Sequence, residues 1–199
     1  MPAKCTFCET TALDRARDLF WRQGYAATSI PDLEAALGIK RSSIYNTFRS
    51  KRALYERSLL AYRDQQQGAL RRQLAEAPAL RPALAELFRA AAAEPAPGQP
   101  RGCYLVSATT ELAAVDPTIA ALVADNRARF VALLEEALAG ARERGELQPL
   151  ADAELRTVAE TLFVGFSGLR VAQASGMGAE ALRAVGLGLV EGVPWGAGA

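Results

Sequence analysis

Residues 24–54 read GYAATSIPDLEAALGIKRSSIYNTFRSKRAL, and they contain two short amphipathic segments separated by a glycine. Thr28 or Ser29 can cap the first segment, because a side-chain hydroxyl can accept a hydrogen bond from an unpaired backbone N–H at the start of a helix. Gly38 ends that helix after about seven residues, as glycine commonly does. In the second segment, 39–48, apolar residues can point inward while polar and basic residues lie outside. Two short helices joined by a tight glycine turn indicate a helix-turn-helix.

The rest of the chain also has helical periodicity. Apolar residues recur at three- and four-residue spacing, and strand-forming alternation is absent. Alanine fills about a fifth of the positions, which favours helix. Besides the two short helices, the spacing predicts helices at about 11–23, 50–74, 102–114, 116–144, 152–175 and 179–192. Pro78 and Pro82 mark a break or the first turn of a further helix that carries Leu84, Leu87 and Phe88. The predicted fold is therefore all-α, with about nine helices.

Basic residues are concentrated around the helix-turn-helix. Residues 1–65 contain 11 Lys and Arg against 7 Asp and Glu, whereas residues 66–199 contain 12 against 15. Between residues 39 and 57 there are six basic side chains and one acidic side chain. This local excess of positive charge indicates a polyanionic partner.

Composition excludes several classes of protein. The 199 residues include no histidine, which rules out Ser-His-Asp and Cys-His pairs and histidine metal ligands. No phosphate-binding loop or dinucleotide fingerprint is present, so an enzyme is the least favoured class. Uncharged stretches stop at about nine residues, well below the roughly 20 that a membrane span needs. No signal peptide is visible, and we expect a cytoplasmic protein with no membrane partner.

The three cysteines lie in two different parts of the chain. Cys5 and Cys8 have the spacing of a zinc or redox pair, but a structural zinc site needs about four ligands, and we expect no metal and no cofactor. Cys103 opens a predicted helix directly after the proline-rich loop at 94–101. A helix N-terminus lowers the pKa of a thiol and makes it more reactive, so Cys103 could act as a sensor. In an apolar environment it would instead be a small packing residue, and the sequence leaves both interpretations open.

A family resemblance rests on the positions that surround the helix-turn-helix. The residues that carry it are 24–30, Leu33, 37–39, Ile44, Tyr45, Phe48, Ser50, Lys51, Ala53 and Leu54. Together they resemble the DNA-binding domain of the TetR family of bacterial transcriptional repressors. The resemblance implies a DNA-binding head at 1–50 and a larger helical body at 51–193 for ligand binding and dimerisation. Residues 194–199, which follow the last predicted helix, are expected to form a flexible tail.

The resemblance also implies a set of DNA-contacting residues. The predicted set is Thr28, Lys40, Arg41, Ser42, Ser43, Tyr45, Asn46, Thr47 and Lys51. The recognition helix would present its side chains to base edges or phosphates, with Tyr45 and Lys51 as backbone anchors. Thr28 would meet a phosphate at a helix N-terminus. Two positions depart from the family pattern: Lys40 replaces a frequent Ser or Thr cap, and Arg49 replaces a frequent Pro or Gly.

In the body, the resemblance implies a ligand pocket and a dimer interface. Candidate pocket residues are Tyr62, Phe88, Cys103, Tyr104, Ser107, Phe130 and Phe166. The last two long helices, at 152–175 and 179–192, would form the dimer. The glycines at 165, 168, 186 and 188 would allow close approach of helices.

The expected function is a ligand-responsive repressor that binds a palindromic operator as a homodimer. Its partners would be double-stranded operator DNA and a small-molecule effector. The alternative is an all-helical small-molecule-binding or thiol-based sensor in which DNA binding is absent or activating.

Overall fold

A computed structural model describes residues 8–197, and this part of the chain forms nine α-helices and no strand. The helices are α1 (Glu9–Gln23), α2 (Ile30–Leu37), α3 (Arg41–Phe48), α4 (Lys51–Glu76), α5 (Leu80–Ala92), α6 (Tyr104–Leu112), α7 (Pro117–Glu143), α8 (Asp152–Ala174) and α9 (Ala179–Glu191). The predicted all-α fold is confirmed.

Local signals explain how the head begins and ends its helices. The Ser29 hydroxyl accepts the Asp32 backbone N–H, and the Asp32 carboxylate accepts the Ser29 N–H, which is a reciprocal capping box at the start of α2. Pro31 suits the first turn because its missing N–H would have no partner there. At the other end, Gly38 adopts φ 69°, a left-handed conformation that costs glycine little.

Helix α4 connects the two parts of the molecule. Its first half buries Leu54, Tyr55 and Leu59 in a cluster that also contains residues of α1–α3, and we call this cluster the head core. The head core extends beyond the first four helices, because Tyr104 of α6 and Ile119 of α7 are buried in it as well. The recognition head is therefore packed directly against the body.

A second apolar cluster, the body core, lies among α5, α7, α8 and α9. Gly186 permits the close approach of α9 to α5, because a Cβ atom there would lie 3.1 Å from the Phe88 Cβ. Gly165 plays the same part between α8 and α9, where a Cβ would meet the Leu189 side chain at 2.6 Å. Two of the four glycines singled out in the sequence thus serve packing within one chain.

The predicted flexible tail is wrong for residues 194–197. The Trp195 indole N–H donates to the Val190 carbonyl at 2.9 Å, and the Gly196 N–H donates to the Glu146 carbonyl at 2.8 Å. Trp195 also packs against the body core, so its apolar ring is partly removed from water. Residues 1–7 and 198–199 lie outside the described part of the chain.

No helix among residues 8–197 is long and apolar enough to cross a bilayer. The same residues contain no group of three His, Cys, Asp or Glu side chains that could hold a metal ion. Cys5, one member of the Cys5–Cys8 pair, lies outside the described residues.

Candidate nucleic-acid interface and ligand cavity

Helix α3 presents a polar and basic face to solvent. Ile44 and Phe48 are buried in the head core, which fixes the opposite side of the helix outward. The side chains on that outer side are Lys40, Arg41, Ser42 and Asn46, all exposed, and Ser43, Tyr45 and Thr47, partly exposed. The Arg41 guanidinium lies 5.4 Å from the centre of the Tyr45 ring. This arrangement matches a recognition helix that enters the major groove.

The start of α3 is capped from α2. Lys40 occupies the N-cap position and makes no side-chain capping hydrogen bond. Instead, the Glu34 carboxylate accepts the Arg41 backbone N–H at 2.5 Å. A carboxylate at this end also complements the positive end of the helix dipole. Glu34 therefore takes over the part that a Ser or Thr cap plays in the family pattern.

Thr28 was predicted to contact phosphate, and the structure corrects this. Its side chain is 1% exposed, and its hydroxyl donates to the Gly24 carbonyl at 2.6 Å. The same hydroxyl accepts a hydrogen bond from the Gln23 amide at 3.1 Å. Thr28 thus shapes the turn between α1 and α2, and a buried hydroxyl with two partners is unable to reach a DNA backbone.

Lys51 holds the same turn onto α4. Its ammonium donates to the Tyr25 carbonyl at 2.7 Å and to the Thr28 carbonyl at 2.5 Å. It also lies 4.3 Å from the centre of the Tyr25 ring, a cation–π distance. Two of its three N–H donors are therefore used within the protein. The structure gives Lys51 a positioning role and leaves one donor for a phosphate.

Arg49 ends α3 in an unusual conformation. It is the one non-glycine residue with positive φ in the described chain, at φ 72° and ψ −43°. Such a backbone is strained for any residue with a Cβ. Compared with glycine, one of the two residues frequent at this position in the family, arginine therefore costs stability, while it adds an exposed cation beside the recognition helix.

A carboxylate of the body binds the head. The Glu111 side chain, at the end of α6, accepts the Ala26 backbone N–H at 2.9 Å and the Tyr25 N–H at 3.1 Å. Arg52 joins the first turn of α4 to α7, because it pairs with Glu56 and with Asp116, the N-cap of α7. Sequence reasoning did not find Glu111, since about 85 residues separate it from its partners.

The body contains a cavity of about 500 Å³ between α4 and helices α5–α8. A volume in this range suits a small organic ligand. Of the predicted pocket residues, Tyr62, Cys103, Phe130 and Phe166 line the cavity. Polar side chains that sequence reasoning missed line it too: Gln66, Gln67, Gln73, Asn126, Ser167 and Arg170.

The other three predicted pocket residues lie elsewhere. Phe88 is 1% exposed and packs in the body core, with its ring 6.1 Å from that of Phe166. Tyr104 belongs to the head core, where its hydroxyl lies 2.9 Å from the Ser58 hydroxyl. The Ser107 hydroxyl donates to the Cys103 carbonyl within α6. Periodicity identified them as inward-facing without indicating which buried space they face.

Cys103 shares the cavity wall with Tyr62. The Tyr62 hydroxyl donates to the Cys103 sulfur at 3.8 Å. Burial is the main cause that raises the pKa of Tyr62 well above its ordinary value, so this hydroxyl is neutral and remains a donor at physiological pH. Cys103 itself is partly exposed, as the N-cap of α6.

Two family models match separate parts of the chain. Residues 12–57 match the model for bacterial regulatory proteins of the tetR family. Residues 77–176 match the model of a tetracyclin repressor-like C-terminal domain.

Similar proteins agree with the two models. The chain is 32% identical over 178 residues to the HTH-type transcriptional repressor ComR of Escherichia coli strain K12, covering 88% of this chain and 84% of that protein. It is 28% identical to the uncharacterized HTH-type transcriptional regulator YezE of Bacillus subtilis strain 168, covering 71% and 73%. A cysteine mutant of the regulator CifR, solved with 26-bp operator DNA, superposes with a TM-score of 0.83 at 30% identity, covering 95% and 98%.

The chain belongs to the TetR family of bacterial regulatory proteins, as the resemblance of residues 24–54 predicted. It is accordingly a DNA-binding transcriptional repressor of that family and not an enzyme.

Proposed function

We propose that this repressor binds a palindromic operator as a homodimer and that a small molecule in the body cavity weakens its hold on DNA. The observation that carries the proposal is the path of α4. Its first turn holds the head through Lys51, whereas its middle lines the cavity through Tyr62 and Leu70. The head at 1–50 and the body at 51–193 are the two domains of this proposal.

The exposed face of α3 supports DNA reading. Arginine and asparagine are the side chains that pair with guanine and adenine edges, and Arg41 and Asn46 both lie on this face. Exposed Lys40 and Arg49 add positive charge for the phosphates at the two ends of α3.

The outer surface of α8 and α9 supports dimerisation. In a single chain, several large apolar side chains on these helices are exposed to solvent, among them Val164 (65% exposed), Val171 (50%) and Val185 (48%). Gly168 and Gly188 lie on these helices with open space beside them. Exposed apolar side chains next to small residues suit a self-complementary interface. A two-fold axis through this surface matches a palindrome.

Coupling between cavity and head has two physical connections. Helix α6 lines the cavity with Cys103, Val106 and Thr110, and the next residue along is Glu111, which binds the head turn. Helix α4 is the second connection. A ligand that favours one arrangement of α4 and α6 shifts the population of head arrangements by its difference in affinity.

The test is DNA binding by fluorescence anisotropy with the duplex upstream of the protein's own gene, at two salt concentrations. Arg41→Ala and Asn46→Ala should each weaken specific binding by about 1–3 kcal/mol, because each loses a base contact. Affinity should fall steeply with salt, as phosphate binding requires.

The matched control is Arg89→Ala, which removes an exposed arginine of α5 that pairs with Glu86. Unchanged affinity in both α3 variants, or an equal loss in the control, contradicts the proposed DNA-reading face.

A second candidate, regulation through a thiol, is favoured by the position of Cys103 on the cavity wall beside Tyr62. Treatment with N-ethylmaleimide should then release DNA from wild type and from Cys8→Ser, but not from Cys103→Ser. Cys8 is the control because it is exposed and lies outside the cavity. Equal release from all three proteins excludes a role for Cys103.

A further inference from the structure

Arg170 lies on the cavity wall and has no carboxylate partner among residues 8–197. It projects from α8, and its guanidinium donates to the Ala91 carbonyl at 2.9 Å and to the Gly102 carbonyl. Both acceptors are neutral, and Arg170 forms no ion pair with any carboxylate among residues 8–197. A partly buried cation without a counter-ion attracts negative charge more strongly than a solvated one.

The cavity supplies no negative charge of its own. Within the described chain, its lining contains no Asp or Glu, and Arg170 is its one charged residue. The remaining polar side chains are amides, hydroxyls and the Cys103 thiol. Arg170 therefore gives the cavity lining a positive formal charge.

Donors remain available for an anion. Arginine has five N–H groups, and the two carbonyls use one each, which leaves three. Helix α6 begins at the same wall, because its N-cap Cys103 and first-turn residues Leu105 and Val106 line the cavity. No side chain caps this helix start, so its positive dipole end adds to the field of Arg170.

The remaining wall is aromatic and aliphatic. Phe130 lies between Phe163 and Phe166, with ring centres at 5.5 Å and 5.3 Å, and all three line the cavity. Leu70 and Leu87 extend this apolar surface. A ligand that satisfies both parts of the wall needs a hydrophobic body and one anionic end.

We propose that the cavity binds an aromatic or aliphatic organic acid, with its carboxylate held by the guanidinium of Arg170 and its apolar body packed against Phe130, Phe163 and Phe166. Calling this acid an effector rests on the proposed function, whereas its binding to the cavity does not.

Binding at Arg170 has a direct connection to the head. The α5–α6 loop is held to α8 by Arg170, which donates to the Gly102 carbonyl, and by the buried Gln173, whose amide donates to the Ala93 carbonyl at 2.5 Å. The same loop touches α1, because the Trp21 indole N–H donates to the Arg101 carbonyl at 3.1 Å. A ligand carboxylate that binds the free N–H groups of Arg170 draws the guanidinium toward the cavity, and thereby weakens its hold on the loop that contacts the head.

The first experiment compares three probes that share one ring system and differ in charge: 1-naphthoate, 1-naphthamide and 1-naphthylmethylammonium. Isothermal titration calorimetry on the wild-type full chain without DNA should give the tightest binding for naphthoate, by about tenfold or more over the amide. Equal or tighter binding of the amide or the ammonium overturns the proposal, and so does the absence of naphthoate binding. This comparison needs no variant.

The second experiment assigns the preference to Arg170. In Arg170→Gln the advantage of naphthoate over naphthamide should disappear while naphthamide affinity is kept, which shows that the cavity is intact. Arg170→Lys should retain part of the advantage because it keeps the charge. Arg127→Gln, on the exposed side of α7, is the matched control. If Arg170→Gln keeps the full preference for the acid, or Arg127→Gln loses it equally, the assignment is wrong.

A DNA-release assay separates this inference from the proposed function. Naphthoate that binds the protein without lowering DNA affinity contradicts regulation through the cavity and leaves the anion site standing. Release of DNA by naphthamide with no advantage for naphthoate supports regulation through the cavity and overturns the acid preference.

Discussion

Glu111 of α6 accepts the backbone N–H of Ala26 at 2.9 Å, and so joins a carboxylate of the body to a turn of the DNA-binding head. The Tyr25 N–H donates to the second carboxylate oxygen of the same side chain at 3.1 Å. These two amides follow the C-terminus of α1, in the turn that leads to α2. The contact transmits any displacement of α6 to the α1–α2 turn.

Removal of this carboxylate should weaken the attachment of the head. We expect Glu111→Ala to lower the free energy of unfolding by about 1 kcal/mol, since two charge-assisted hydrogen bonds at an exposed site are lost to water. Glu111→Gln should lose less, because its amide oxygen still accepts. Chemical denaturation measures both variants, with Glu143→Ala, at an exposed position of α7, as the control. A midpoint equal to that of the wild type in Glu111→Ala contradicts a structural role for the contact.

Arg49→Gly tests the strain at the end of α3. Glycine adopts positive φ without steric cost, so this variant should gain about 1 kcal/mol in the free energy of unfolding after its larger unfolded-state entropy is counted. Arg49→Ala is the matched control, because it removes the same charge and keeps the Cβ. It should show no gain. Denaturant titration distinguishes the two, and equal stability of both variants argues against strain at this position.

Both Arg49 variants should also bind DNA less tightly, with a salt dependence of log affinity reduced by about one phosphate contact. This expectation follows from the exposed position of the side chain beside α3. Stability and DNA affinity would then change in opposite directions in Arg49→Gly.

Local sequence signals predicted most of the helices. The segment 39–48 was assigned from its inward-facing Ile44 and Phe48, and α3 spans Arg41–Phe48. Thr28 and Ser29 are both possible caps for α2, and Asp32 favours Ser29 because it lies three residues after it, the spacing of a capping box. These features depend on neighbours within one or two turns, which a sequence displays directly.

Contacts between distant segments could not be predicted in the same way. Glu111 and Ala26 lie 85 residues apart, and no local pattern connects them. Five of the seven candidate pocket residues are aromatic, and the set contains none of the amide side chains or the arginine that form the polar part of the wall. Arg170 had a usable signal, because it follows Phe163 and Phe166 at helical spacing on an otherwise apolar face of α8.

The Asp116–Arg52 pair should make the free energy of unfolding depend on pH in the acidic range. Hydrogen bonds from the α7 backbone and from Arg52 hold the pKa of Asp116 below its ordinary value. Because this pKa is lower in the folded state than in the unfolded state, ionised Asp116 adds to the free energy of unfolding. The contribution is fully present above the unfolded-state pKa of about 4. It is lost as the pH falls through the lower folded-state pKa.

Asp116→Asn keeps a capping side chain but removes this titration. The wild type should therefore lose more thermal stability than the variant when the pH is lowered from about 6 to about 3. Asp152→Asn is the control, because the Asp152 side chain is 92% exposed although it pairs with Arg142. Melting curves across this range provide the measurement, and parallel curves for the wild type and Asp116→Asn contradict the expectation.

Gly168→Glu tests the proposed dimer surface. Val164, Gly168 and Val171 lie one above another on the outer face of α8, and a Cβ built at Gly168 meets no atom of the same chain within 4 Å. Glutamate is also a better helix former than glycine, so the fold of one chain should be unharmed or slightly stabilised. In a two-fold interface, however, the substitution places two like charges against an apolar surface. We expect this to split the dimer.

Light scattering after size-exclusion chromatography should show a dimeric wild type and a monomeric Gly168→Glu at micromolar concentration. Circular dichroism should show equal helix content in the two proteins. Ala128→Glu is the matched control, because it adds the same charge at an exposed position of α7, and it should remain dimeric. A monomeric wild type contradicts the proposed dimer, whereas a dimeric Gly168→Glu shows that the interface does not lie on this face of α8.

Because a monomer engages only one half-site, Gly168→Glu should also bind a palindromic duplex no more tightly than a single half-site.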